Sequence, residues 1–169
     1  MVILGMVLTS CGFKPRGKSN QDLSGVIVNI DAQQQFHPLV LRLKRKLQSL
    51  GAQLDTKATT SSAVLVLISL PIESQKTLSV DETGRPLEYE LHIQISAVVT
   101  SNNLKHQSSS KLNLNEMTAS TIFARRVLVY DNNQLLAKSR EREQVRNAIY
   151  DVLVEQLIER IRGAHAVKS

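Results

Sequence analysis

The chain has a single cysteine, Cys11, no tryptophan, and only three phenylalanines and three tyrosines among 169 residues. One thiol cannot form an intrachain disulfide, and zinc sites built on cysteine fall away. So few aromatic rings argue against a stacking platform for sugars or single-stranded nucleic acid. Histidine is scarce as well. His37 precedes a proline, His92 sits on the polar side of an alternating run, His106 falls in a polar stretch and His165 in the tail. None has the spacing of a metal-binding pair, and neither HExxH, GxSxG nor a glycine-rich phosphate loop after a strand occurs. Glu88 and Glu90 share one strand face, as a glycosidase pair could, but alternation on a solvated face explains them equally well. The expectation is a protein that is not an enzyme, with no cofactor, no metal and no catalytic residue.

What is present suits one domain with a real core: 42% of residues are apolar and 21% charged. The net charge of +6 makes an anionic partner worth considering, whether nucleic acid, a membrane surface or a polyanionic lipid such as lipopolysaccharide. A generic basic surface is the alternative. Nucleic acid is the least favoured because of an export signal at the N-terminus.

That signal is residues 1–8, an uncharged apolar run, followed by Leu8-Thr9-Ser10-Cys11-Gly12. It is far shorter than the about 20 apolar residues a spanning helix needs. It matches the apolar core of a secretory signal with a small residue before the cut. Leu-Thr-Ser-Cys resembles the bacterial lipobox, whose cysteine takes diacylglycerol as a thioether and becomes the first mature residue. At about 0.8 kcal/mol per buried methylene, several acyl chains anchor a protein in effect permanently. No lysine or arginine precedes the run, which suggests that the true start lies upstream. The division expected is a signal peptide over 1–10, a lipidated tether over 11–25, one α+β domain over 26–163 and a tail over 164–169. Gly12 after the cysteine, where an aspartate would retain the protein, implies sorting to the outer membrane.

Within the domain, residues 26–31 read as a strand. Leu39, Leu43, Leu47 and Leu50 make one stripe of a helix closed by Gly51, and Arg42, Lys44, Arg45 and Lys46 its solvated side. Residues 63–72 are a nearly continuous apolar run, expected to be one strand buried on both faces. Leu87, Tyr89, Leu91, Ile93, Ile95, Ala97 and Val99 alternate with Glu88, Glu90, His92, Gln94 and Ser96, the clearest signal in the chain. With residues 76–80 they form a hairpin whose tip lies near Thr83 and Gly84. Residues 118–130 read as a further strand. Asp131-Asn132-Asn133 is cap chemistry for a long helix with Val145, Ile149, Val152, Leu153, Leu157 and Ile161 inward, ended by Gly163. The order β-α-β-β-β-α predicts an α+β sandwich, two helices on one face of a roughly four-stranded mixed sheet.

Several of these stretches together resemble the LPS-assembly lipoprotein family LptE. They are Cys11-Gly12-Phe13-Lys14-Pro15-Arg16; the hairpin from Ser79-Val80 through Gly84 to Glu88-Tyr89-Glu90; Tyr130-Asp131-Asn132 with Leu136-Ala137-Lys138; and Gln156-Leu157-Ile158-Glu159-Arg160. The resemblance implies an outer-membrane, periplasm-facing lipoprotein anchored through Cys11. It further implies that the protein plugs an LptD-like β-barrel, assists the barrel's assembly, and binds lipopolysaccharide on its way to the outer leaflet. Partners would be the barrel, lipopolysaccharide and outer-membrane lipid, with no nucleic acid. Lys138 matches the family's basic residue at the start of the last helix. At the hairpin the equivalent position is the acidic Glu82, with Arg85 a few residues on, so Arg85 and Lys138 are the expected lipopolysaccharide contacts. The other reading is a lipid-anchored accessory or carrier subunit of a different envelope complex.

Overall fold

The computed structural model describes residues 22–55, 63–101, 119–129 and 135–166, with the side chains of Ser101 and 135–138 outside that description. Along the described chain run β1 (Ile27–Ala32), α1 (Pro38–Ser49), β2 (Gln53–Leu54), β3 (Val64–Ile68), β4 (Ile72–Val80), β5 (Pro86–Ser101), β6 (Ser120–Val129) and α2 (Leu135–Ala166). Local chemistry sets the ends of α1. Pro38 pre-sets the first turn, and His37 Nδ1 accepts a 3.2 Å bond from the Leu39 N–H. At the other end Gly51 takes φ +85°, and a Cβ there would stand 2.7 Å from Ser24 Oγ.

β1 runs parallel to β2 and β3, which requires the crossover that α1 provides. β5 is the spine. One of its edges pairs antiparallel with β3 from Ala97 onward and with β4 up to and including Gln94; the other pairs with β6. Across the sheet the order is therefore β2, β1, then β3 and β4 in line, then β5 and β6.

The apolar run at 63–72 is not one strand, contrary to expectation. It breaks between Ile68 and Ile72, because Pro71 brings no N–H to the ladder and Ser69 substitutes its side chain for part of it. The Ser69 N–H donates to the Ser96 carbonyl and Ser69 Oγ accepts from the Ser96 N–H, both at 2.9 Å.

Both helices cover the same face. Leu91, Ile93, Ile95 and Ala97 of β5 point into it with Val64, Val66 and Ile68 of β3 and Ile122 and Ala124 of β6. Above them lie Leu39, Leu43 and Leu47 of α1 and Ile149, Leu153, Leu157 and Ile161 of α2, all fully buried. Each such side chain contributes about 1.5–3 kcal/mol relative to exposure. The expected class holds: two helices on one face of a mixed sheet, with six strands where roughly four were expected. Two details differ. Tyr89 is half-buried and Leu87 exposed, because the helices do not cover that end of β5. Gly163 does not end α2, which continues to Ala166 while Ala164 still packs on the core. Among the described residues no helix is long and apolar enough to cross a membrane.

Candidate functional site

The part of the hairpin beyond Leu91 extends past the buried core toward an exposed tip. Asp81 organises the tip. Its Oδ1 accepts from the Thr83 N–H (2.8 Å), the Thr83 hydroxyl (2.7 Å) and the Arg85 N–H (2.8 Å), while the Arg85 carbonyl accepts from the Asp81 N–H at 2.8 Å. The Thr83 hydroxyl bond comes first among the causes that hold the Asp81 carboxyl below the usual carboxylate range. Gly84 closes the turn at φ +80°, placing the tip where the sequence puts it. Arg85 follows, exposed.

α2 crosses the sheet diagonally. Near its C-terminal end the Arg160 guanidinium donates to the Ser120 hydroxyl and Gln156 Nε2 to the Phe123 carbonyl, at the start of β6. Toward its N-terminal end it reaches β4 instead. There Arg146 grips Glu73 with two bonds, Nε to Oε2 at 2.8 Å and a terminal nitrogen to Oε1 at 3.0 Å, and Arg142 adds a third at 2.9 Å. The bond from Arg146 is the main reason the Glu73 carboxyl lies below its ordinary range; partial burial opposes it and Arg142 reinforces it. The same contact raises Arg146. Beside it Tyr150, pushed up by burial, packs edge-on against His37 at 5.5 Å between ring centres. Arg126 lies on this helix-side face too, opposite Leu91 and one row nearer the tip than Ala124.

The opposite face of the sheet carries apolar groups that the described residues leave bare. Ile72 of β4 and Phe123, Val127 and Val129 of β6 are each more than half exposed. Between them stand polar contacts: His92 edge-on to Phe123 at 5.4 Å, Arg125 to Glu90 at 3.6 Å, and the Ser79 hydroxyl donating to Glu88 at 3.0 Å. Glu88 and Glu90 are thus solvated-face residues with partners of their own. On α1 the basic side is tied to acids on α2, Arg42 to Asp151 at 2.7 Å and Lys46 to Glu155 at 2.8 Å, as a structural face would be. Among the described residues no cluster of three or more histidine, cysteine or acidic side chains could hold a metal.

Of the residues expected from sequence, Arg85 lies at the tip, and Lys138 falls in the first turn of α2 with its side chain outside the described residues. Cys11, its signal, the tether as far as residue 21 and the cap at 131–133 also lie outside them, while Leu23, near the end of the expected tether, is buried in the core. Glu73, Arg142 and Arg146 were not anticipated. The four-residue spacing of Lys138, Arg142 and Arg146 was a readable sign of one cationic helix face. Nothing in the sequence pairs that face with Glu73.

Solved proteins with this arrangement include bacterial lipoproteins. A solution structure of an uncharacterized lipoprotein B from Nitrosomonas europaea is 26% identical, with a TM-score of 0.64 over 87% of this chain and 88% of that one. The rare lipoprotein B of Shewanella oneidensis, at 20% identity, matches with a TM-score of 0.60 over 84% of this chain and 95% of that one. A minor lipoprotein of Acinetobacter baumannii, 15% identical, matches at 0.58 over 81% and 90%. No curated protein matches. The fold is thus one that bacterial lipoproteins share. The family is given by sequence: the lipopolysaccharide-assembly family LptE matches residues 25–161, and the chain belongs to it.

Proposed function

We propose that this protein is an outer-membrane lipoprotein, anchored by acylation of Cys11, that plugs an LptD-like barrel, assists its assembly and binds lipopolysaccharide without catalysing a reaction. The observation that carries the reading is the family match across 25–161, which spans every described element from β1 to the last turns of α2. Geometry supports it in two ways. The bare apolar face with Ile72, Phe123, Val127 and Val129 is what a domain enclosed by another protein would bury. Arg85 at the tip and the start of α2 belong to the same end of the molecule, since β6 finishes at Val129 opposite Glu88 and α2 begins at Leu135. Phosphates of lipid A would meet arginine and lysine there through charge-assisted hydrogen bonds.

Pull-down of the full chain from outer membranes should recover a stoichiometric barrel of LptD size, and palmitate-analogue labelling should vanish in Cys11→Ala. The double variant Arg85→Asp/Lys138→Asp should bind lipopolysaccharide at least tenfold more weakly by a rough count of two charge contacts, and salt should weaken the wild type. Absence of a barrel partner together with unaltered lipopolysaccharide binding in the folded double variant would reject the reading.

A further inference from the structure

Several cations on the described surface each reach an acid of their own. Arg42 meets Asp151, Lys46 meets Glu155, Arg125 meets Glu90 and Arg162 meets Glu159. Glu73 takes two guanidiniums, Arg142 and Arg146. Arg146 commits its fork to the carboxylate, whereas Arg142 gives one nitrogen and stays 48% exposed. Glu143 acts on Arg146 through space alone, being exposed on a neighbouring face of α2. Two forks converging on one point from a single helix face are the arrangement that recognises a tetrahedral dianion, which offers more acceptor oxygens than a carboxylate. The singly charged carboxylate leaves one positive charge over.

We propose that Arg142 and Arg146 form a phosphate site that Glu73 occupies in the free protein, so that a phosphomonoester binds by displacing the carboxylate from Arg142. The ligand class is a phosphorylated glycolipid headgroup, and in this the inference rests on the function proposed above. Glu73 is then an internal competitor that keeps weaker anions out and releases the arginines to a doubly charged one. The exchange makes and breaks no covalent bond.

Binding of glucosamine 1-phosphate and of purified lipopolysaccharide to the full chain in detergent tests this, with uncharged glucosamine as the control. Glu73→Gln should tighten both phosphorylated probes by about threefold to tenfold, the span of one partly exposed charge-assisted contact, and leave glucosamine unchanged. Arg142→Gln should weaken them by a similar factor. Thermal melting establishes that each variant is folded. If folded Glu73→Gln binds the probes no better than wild type, the competitor role is wrong. Should Glu73→Gln fail to fold, Arg142→Gln decides alone, because its single exposed bond makes it a mild change, and unaltered binding there overturns the site. A wild type that binds no lipopolysaccharide sinks the function proposed above. A wild type that binds it while Glu73→Gln changes nothing sinks this inference and leaves that function standing.

Discussion

Ile93 and Gln94 are neighbours in β5 with opposite surroundings. Ile93 is fully buried beneath the helices and faces Glu73 and Ala124 across the strands, whereas Gln94 lies on the bare face between Ile72 and Phe123. Ile93→Asp would bury a carboxylate without a partner and should lower stability by several kcal/mol, on the order of 3–5. Gln94→Asp should cost under about 1 kcal/mol. Denaturant midpoints of the two variants check this, and similar losses in both would mean that the register is wrong. Asn29 is the buried polar side chain among the described residues, on the face of β1 opposite Val28, and its amide donates to the Asp55 carbonyl, pinning the end of β2 to β1. Alternation made the sides of Ile93 and Gln94 readable without coordinates. The task of Asn29 was not readable, because its partner is a backbone carbonyl 26 residues away, just past a strand of two residues.

Between elements, the Glu73 clamp is the polar link from β4 to α2, and its pH dependence has a definite sign. The folded protein favours the Glu73 carboxylate, so the clamp's contribution is fully present above the ordinary glutamate value of 4.5 and is lost as pH falls through the lowered folded value. Asp81 and Asp22, held down by bonds from Thr83 and Ser24, add acid sensitivity of their own in any variant. Melting temperature measured from pH 6 to pH 3 should therefore fall less steeply in Glu73→Gln than in wild type. Parallel curves would show that the clamp adds nothing to stability. The elements themselves were largely legible. The stripe of Leu39, Leu43 and Leu47, the hairpin tip at Gly84 and the inner line of α2 follow from periodicity and turn chemistry. The interruption at Ser69 and Pro71 was missed because the residues around it stay apolar and hide a change of strand. The bare side of β6 was missed because exposed Phe123, Val127 and Val129 look in sequence like core.

For the whole molecule, the interruption between β3 and β4 means that β5 holds two partners along one edge and could release one while keeping the other. Helices cover Ile93, Ile95 and Ala97, while the pairing of Lys76 to Val80 with Pro86 to Glu90 lies beyond them and includes a register shift around Leu78. Amide hydrogen exchange should find residues 93–98 opening only with global unfolding, and residues 76–80 and 86–90 opening together at lower free energy. Uniform protection along β5 would contradict this. The sheet thus has a seam at Ser69. The stiff body reaches across it as far as Leu91 and the Glu73 clamp, and beyond them the hairpin is a compliant arm that can yield to the shape of whatever encloses it, at little cost to the core.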